Sequence, residues 1–261
     1  MQVISGHADT IGTSVECEGK TGCVIRRPKA MNLVEAMQAR HSVRMYTDEP
    51  VEEAVLDVLR SEIDAINQES GLRLQLGSGL EDAFCGYETH YGRFKEAHNA
   101  AVILGGQAAT ARQDIPLQLK VGYYGERLLL RMVQMGLSTS WVVLDDTAEG
   151  WWDLLPDEQA IWLVTFGHAS RIIGKHRSKP MEELCRIEGG VPMPEWFRKG
   201  MEAAMLAPSS LGKQPFTFVL HEDGTVSTEL ADELFAAVGA GCARYHFEIG
   251  AGVDVQWRAA L

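Results

Sequence analysis

The stretch from Leu117 to Gly136 is apolar on nearly every face, with Val121, Leu128, Leu129, Leu130, Met132, Val133 and Met135 distributed around the helical turn. A helix without a polar side must be covered all round, so this segment predicts a rod in the middle of a domain. Short apolar runs supply the strands around it. Asn99 to Gly106, Ser138 to Leu144 and Ala160 to Phe166 read as buried strands, and Leu72 to Leu76 alternates. A short helix containing Trp151 and Trp152 is expected between the last two of the buried strands.

The remaining elements follow from capping and breaking signals. Asn32 caps a helix running to about Arg40, with Leu33, Ala36 and Met37 at spacings of three and four. Asp48 with Pro50 predicts the start of a helix over 50–67, whose apolar face is Val51, Val55, Leu59 and Ile63. After Pro180 a helix reaches Cys185, and a Gly-Gly-Val-Pro-Met-Pro linker follows. Glu195 to Leu206 is helical and stops at Pro208. Phe216–Leu220 and Thr225–Thr228 form a hairpin, a helix spans about 229–250, and Val253 to Trp257 reads as a last strand. The fold class is α+β, with a main unit over 31–188 and a smaller one over 194–258. Residues 1–30 show no periodicity and read as a disordered arm, or as a product of start-site choice, since Met31 opens the first convincing helix.

The formal net charge of -12 argues against nucleic acid or an anionic membrane as partner. Five Cys at positions 17, 23, 85, 185 and 242 show no paired or zinc-like spacing, which suits a reducing cytoplasm. No apolar run approaches a membrane span, and Met1 to Ala30 has neither a signal-peptide core nor a convincing twin-arginine signal. Gly19-Lys20-Thr21 is not a phosphate loop, because Ser14 stands where that loop needs Gly. Cys242 and His246 share one helix face, but two side chains without further ligands read as core rather than metal site.

Against that acidic background, local cationic clusters stand out. Arg40, Ser42 and Arg44 sit at two-residue steps around His41 and Val43. In extended backbone they share a face, so two guanidinium forks and a hydroxyl can converge on one oxyanion. A solvated helix end with two surface arginines is the alternative. Lys175-His176-Arg177-Ser178-Lys179 precedes Pro180 as a second basic turn. Gly136-Leu-Ser138-Thr139-Ser-Trp141 leaves the central helix through a glycine, as a simple C-cap or as backbone approaching a ligand. Ala207-Pro208-Ser209-Ser210-Leu-Gly212-Lys-Gln214-Pro-Phe216 is a helix-breaking corner with backbone N–H groups and a Gln amide.

These four segments, in their order along the chain (40–44, 136–141, 175–179, 207–216), resemble the FMN-dependent nitroreductase family, over about 225 residues from Met31 to Trp257. The late position of the Ala-Pro-Ser-Ser corner is similar to the single-chain subfamily, the putative TM nitroreductases, in which one polypeptide imitates the family's homodimer. The resemblance implies a nitroreductase-like mixed sheet with helices on both sides, the region 194–258 acting as a half-copy that completes one flavin site. It implies FMN held by Arg40, His41, Ser42, Arg44, Ser138, Thr139, Arg177, Lys179, Pro208, Ser209, Ser210 and Gln214. NAD(P)H is the implied co-substrate and a small nitroaromatic, quinone or similar molecule the electron acceptor, with the monomer as the functional unit. No residue is implied as general acid. The chain departs from the family at Gly212, where Asn is usual, at Phe216, where Trp is usual, and at Phe166-Gly167-His168-Ala169, where Gly-aromatic-Pro is usual. These departures keep open a non-catalytic ligand-binding module, or a member that has lost its flavin.

Overall fold

The structure is a computed structural model that describes residues 31–105, 112–144, 149–172 and 176–258, together with the backbone of 14–16 and 24–26. Within the first thirty residues, β1 (Ser14–Glu16) and β2 (Val24–Arg26) pair antiparallel. The rest of that arm lies outside the described residues, as does Lys175. α1 (Leu33–Ala39) opens with a capping box: Asn32 Oδ1 accepts from Glu35 N at 2.9 Å, and Glu35 Oε2 accepts from Asn32 N at 2.8 Å. α2 (Glu53–Ser70) begins three residues after Pro50, because Val51 is drawn into the core before the helix starts at the Glu52 cap.

The main sheet comprises β3 (Arg73–Gly77), β4 (Ala100–Leu104), β5 (Ser138–Val143) and β6 (Trp162–Gly167), and α3 (Ile115–Gln134) lies between β4 and β5 in sequence. Its order is β3-β4-β6-β5, antiparallel throughout. Both faces are buried. Ala101, Ile103 and Val164 look into a core shared with α2 and α3, whereas Ala100, Val102, Leu104 and Leu163 look into a second one. That second core is roofed by irregular segments carrying Phe84, Tyr87, Phe94, Trp151 and Trp152 rather than by a helix. Trp151 and Trp152 therefore form no helix. Trp151 Nε1 instead donates to Ala83 O at 3.0 Å, and the two indoles meet edge to face.

The C-terminal region adds α4 (Met181–Leu184), β7 (Cys185–Ile187), α5 (Glu195–Ala204), β8 (Phe216–Leu220), β9 (Val226–Leu230) and α6 (Ala236–Ala251). In the second sheet β7 runs parallel to β8, and β9 runs antiparallel to it. Two helix expectations yield to these pairings. Cys185 leaves the Pro180 helix to pair with Phe218, and Glu229 and Leu230 stay in register with Thr217 and Phe216. α6 then starts only after Phe235, which adopts a left-handed φ of 60°. Val253–Trp257 contributes a single bridge, Val226 to Trp257, instead of a strand. Among the described residues no helix is long and apolar enough to cross a membrane.

α3 is the rod the sequence predicts, and its closest neighbour is α6. The two cross at glycines. A Cβ built on Gly122 would lie 2.0 Å from Val238 O, and one on Gly241 would lie 2.2 Å from Leu119 O. Helical glycine costs about 1 kcal/mol relative to alanine, so it persists here because the backbones touch. Gly241→Ala should therefore destabilise the protein by a net ~2 kcal/mol in urea titration, overpacking outweighing the gain in propensity. An unchanged or raised midpoint would show that the helices can move apart freely.

Candidate functional site

Beyond α1 the chain turns extended at Arg40 (φ -60°, ψ 130°) and lies along the free edge of β5. Val43 N donates to Thr139 O at 2.8 Å, and Ser42 bridges Thr139 in parallel. The pleat sends Val43 into the core, while Arg40, Ser42 and Arg44 all line a cavity of about 330 Å³. The two-residue spacing thus keeps both arginines and the serine on one cavity, which His41 reaches as well.

His176 and Arg177 of the basic turn line the same cavity. His176 Nε2 donates to Gln38 O at 3.0 Å, and its ring centroid is 5.0 Å from that of His41. The Ala207–Phe216 corner closes the cavity from the side of α6. Within it Leu211, Gly212 and Gln214 all take left-handed φ values, of 52°, 69° and 45°. For the two non-glycine residues this costs roughly 1–2 kcal/mol each. Hydrogen bonds hold the corner in place: Ser209 Oγ accepts from Gln214 N at 3.0 Å, and Ser209 O accepts from Gly212 N at 2.9 Å. The buried Gln214 amide ties the corner to the basic turn. Its Oε1 accepts from Lys179 N at 2.8 Å, its Nε2 donates to Met205 O at 3.3 Å, and it also bonds Ser178.

The rest of the lining is largely apolar and aromatic, with Trp141, Trp162, Phe235 and Val238 prominent. Tyr91 adds a phenol that donates to Ser210 Oγ at 3.1 Å, and burial pushes its pKa up, so the proton stays on. Cys242 also faces the cavity, but its thiol donates to Gly122 O at 3.4 Å, and burial raises its pKa well above the usual thiol value. It is not a reactive thiolate. Among the described residues no cluster of three or more His, Cys, Asp or Glu is placed to hold a metal ion.

Behind Arg40 lies a fully buried polar knot. Glu126 of α3 accepts from Trp141 Nε1 at 2.8 Å and from His246 Nε2 at 2.9 Å, and Arg40 Nε stands 3.8 Å from the same carboxylate. His246 Nδ1 faces Ala203 O at 3.2 Å. A carbonyl and a carboxylate only accept, so both imidazole nitrogens donate and the ring is an imidazolium. Burial alone would push the Glu126 carboxyl up. The His246 hydrogen bond, the His246 and Arg40 charges and the Trp141 N–H outweigh it and hold the pKa below the ordinary carboxylate value. Two cations against one anion leave the knot with an excess positive charge at the cavity wall. Arg40 Nη2 donates to Leu206 O at 3.3 Å, while its buried Nε has no hydrogen-bond partner among the described residues.

Nine of the twelve residues named from sequence line the cavity: Arg40, His41, Ser42, Arg44, Arg177, Pro208, Ser209, Ser210 and Gln214. Ser138, Thr139 and Lys179 do not. Thr139 offers its backbone to the arginine segment, and Lys179 Nζ donates to Gln214 O at 3.3 Å. Sequence reasoning did not assign Tyr91, His176, Phe235 or Cys242 to the site. His176 adjoins Arg177 and was within reach of the charge pattern. Tyr91 and Phe235 sit in irregular segments with no periodic signal.

The family model described as "Putative TM nitroreductase" matches residues 32–251, and the chain belongs to that family. Among solved structures it is similar to a putative nitroreductase from Thermotoga maritima, at 19% identity and a TM-score of 0.56, covering 86% of each chain. Similarity extends to an NADH dehydrogenase/NAD(P)H nitroreductase, also described as putative, from Bacteroides thetaiotaomicron. It has 17% identity and a TM-score of 0.43, covering 58% of this chain and 95% of that one. An FMN-dependent nitroreductase from Clostridium difficile R20291 matches at 14% identity and a TM-score of 0.39, covering 54% and 90%. No curated protein matches the chain. The fold is the α+β nitroreductase-like one expected from sequence.

Glu126→Gln removes the anion and strands two buried cations. It should cost about 3 kcal/mol in chemical denaturation at neutral pH. Because the Glu126 pKa is depressed on folding, its contribution is complete above the unfolded carboxyl value of about 4.3 and disappears as pH falls through the folded value beneath it. The gap between wild type and variant should accordingly narrow only under acid conditions. A gap already closed at pH 6 would show that the carboxylate does not balance these charges.

Proposed function

We propose that the chain is an oxidoreductase that holds one FMN in this cavity, takes hydride from NAD(P)H and passes it to a small nitroaromatic, quinone or similar acceptor. The observation that carries the reading is the convergence of three distant segments, 40–44, 176–177 and 207–214, on a single cavity. Its volume falls within the range of small-molecule sites. The donor set fits a phosphorylated flavin. Cationic side chains gather where the first two segments meet, Arg40 adds a buried cation to the wall, and aromatic and aliphatic walls suit a flat ring.

In this reading Arg44 and Arg177 bind the phosphate as exposed guanidinium forks, and Arg40 works from the buried wall. Ser42, Ser209 and Ser210 offer hydroxyls to the ribityl chain. Trp141, Trp162 and Phe235 exclude water from the ring. Gln214 acts through Lys179 and Ser178, fixing the basic turn against the corner, because its amide is already engaged. FMN, when bound, supplies the two-electron chemistry. α6 and the corner stand in for a partner subunit, which gives one site per monomer, and the setting is cytoplasmic. A binding module without turnover is the second reading. It is favoured by that same commitment of Gln214 and by Gly212, which carries no side chain toward the ligand.

Flavin titration should reach about one FMN per chain, and anaerobic NAD(P)H should bleach the flavin absorbance. A stoichiometry of two, or no binding, would defeat the single-site reading, and binding without bleaching would favour the module. Arg44→Ala should weaken FMN by about 1.5–3 kcal/mol and leave riboflavin, which lacks the phosphate, nearly unchanged. Arg44→Lys should recover little. Equal weakening of both flavins would place Arg44 outside the phosphate grip.

A further inference from the structure

His41 and His176 face each other at the cavity wall, with ring centroids 5.0 Å apart, and each is tied to a backbone carbonyl. His41 Nδ1 lies 2.8 Å from Ala39 O, and His176 Nε2 lies 3.0 Å from Gln38 O. A carbonyl oxygen accepts and never donates, so these two nitrogens carry the protons in every state of the rings. That fixes the tautomers. In a neutral ring the other nitrogen, His41 Nε2 or His176 Nδ1, is a bare lone pair. Neither makes a hydrogen bond among the described residues.

The surroundings favour an anion. The described cavity lining contains Arg40, Arg44 and Arg177 and no Asp or Glu, in a chain whose net charge is -12. Among the described residues, Arg40, Arg44 and Arg177 line the same cavity as the pair, with Glu126 and His246 behind Arg40. His176 titrates below the ordinary imidazole value: partial burial is the chief cause, the Arg40 charge reinforces it, and the Gln38 carbonyl opposes it. In the neutral ring a lone pair therefore faces the cavity, and a phosphomonoester dianion also presents only lone pairs. Two acceptors cannot bond without a proton between them.

Resting on the FMN reading, we propose that His41 and His176 are phosphate-binding residues that engage a phosphomonoester dianion only by taking up protons from solvent. Each ring–phosphate hydrogen bond needs one added proton, whichever partner formally holds it, so the complex carries more protons than its separated parts. Affinity for the phosphorylated ligand rises as pH falls through the interval between the free and bound ring values. The rise ends near pH ~6, where the phosphate itself begins to protonate. The arginines bind at any pH, so the histidines alone make the grip proton-linked.

The test is calorimetric titration of the full chain with FMN at pH 7.5, in two buffers of different ionisation enthalpy. We expect uptake of about one proton or more per FMN and none with riboflavin, and hence roughly tenfold tighter FMN binding per pH unit between pH 8 and 7. The double variant His41→Gln, His176→Gln offers a donor at every pH. It should abolish the uptake and flatten the pH dependence, with riboflavin affinity unchanged as evidence of an intact fold. FMN binding with no uptake, or equal uptake with riboflavin, overturns the proposal. Titration with inorganic phosphate, followed by the histidine ring resonances in NMR, separates this claim from the flavin reading. If FMN fails to bind but phosphate shifts both rings, the flavin reading falls and the proton-linked anion site stands. If neither ligand moves them, both are wrong.

Discussion

The contact between α3 and α6 is the constraint on which the rest of the structure depends. Gly122 and Gly241 bring the two backbones together, and the Cys242 thiol donates to Gly122 O from the same crossing. One turn further along, this closeness lets Glu126 on α3 reach His246 on α6 at 2.9 Å. A side chain at either glycine would push the helices apart and lengthen that bond. Packing and electrostatics are thus linked: the small residues set the distance, and the buried charges require it.

The buried knot also joins the main sheet, α3 and α6 to the cavity. Trp141 of β5, Glu126, His246 and Arg40 belong to four separate elements, and each is anchored by at least one of the others. Arg40 is held by the core through Glu126 and by the end of the α5 region through Leu206 O. Arg44, four residues further along the extended segment, is exposed, with its guanidinium 6.0 Å from the Phe94 ring. Two arginines that look equivalent in sequence therefore play different parts, one pinned in the wall and one available to a ligand.

Left-handed backbone recurs where the cavity is closed. Left-handed backbone at Leu211, Gly212 and Gln214 falls within four residues, and Phe235 repeats it at the start of α6. Such geometry persists only when its surroundings over-determine it. Here the Ser209 bonds and the Gln214 amide do so, and the amide carries the constraint across to Lys179. The corner and residues 178–179 are consequently tied together beside the cavity.

By itself the sequence determined the local units. The all-round apolar pattern of 117–136 dictated a central helix, Asn32 with Glu35 dictated the cap of α1, and the apolar runs dictated β4, β5 and β6, because each depends on nearest-neighbour geometry and burial. It also brought nine of the twelve candidate residues to the cavity, the two-residue arginine spacing fixing a shared face wherever the segment is extended. Tertiary structure decided the rest. Leu230 and Leu234 fit a helical face, yet β8 claims Leu230 for a strand, and Trp151 and Trp152 serve as a lid on the second core instead of a helix. Tyr91 and Phe235 entered the cavity through loops whose course depends on what they pack against. Gln214 became a staple and Arg40 a buried cation because their partners, Lys179 and Glu126, lie 35 and 86 residues away in the chain. No local pattern encodes such a contact, because its energy exists only once the helices have crossed.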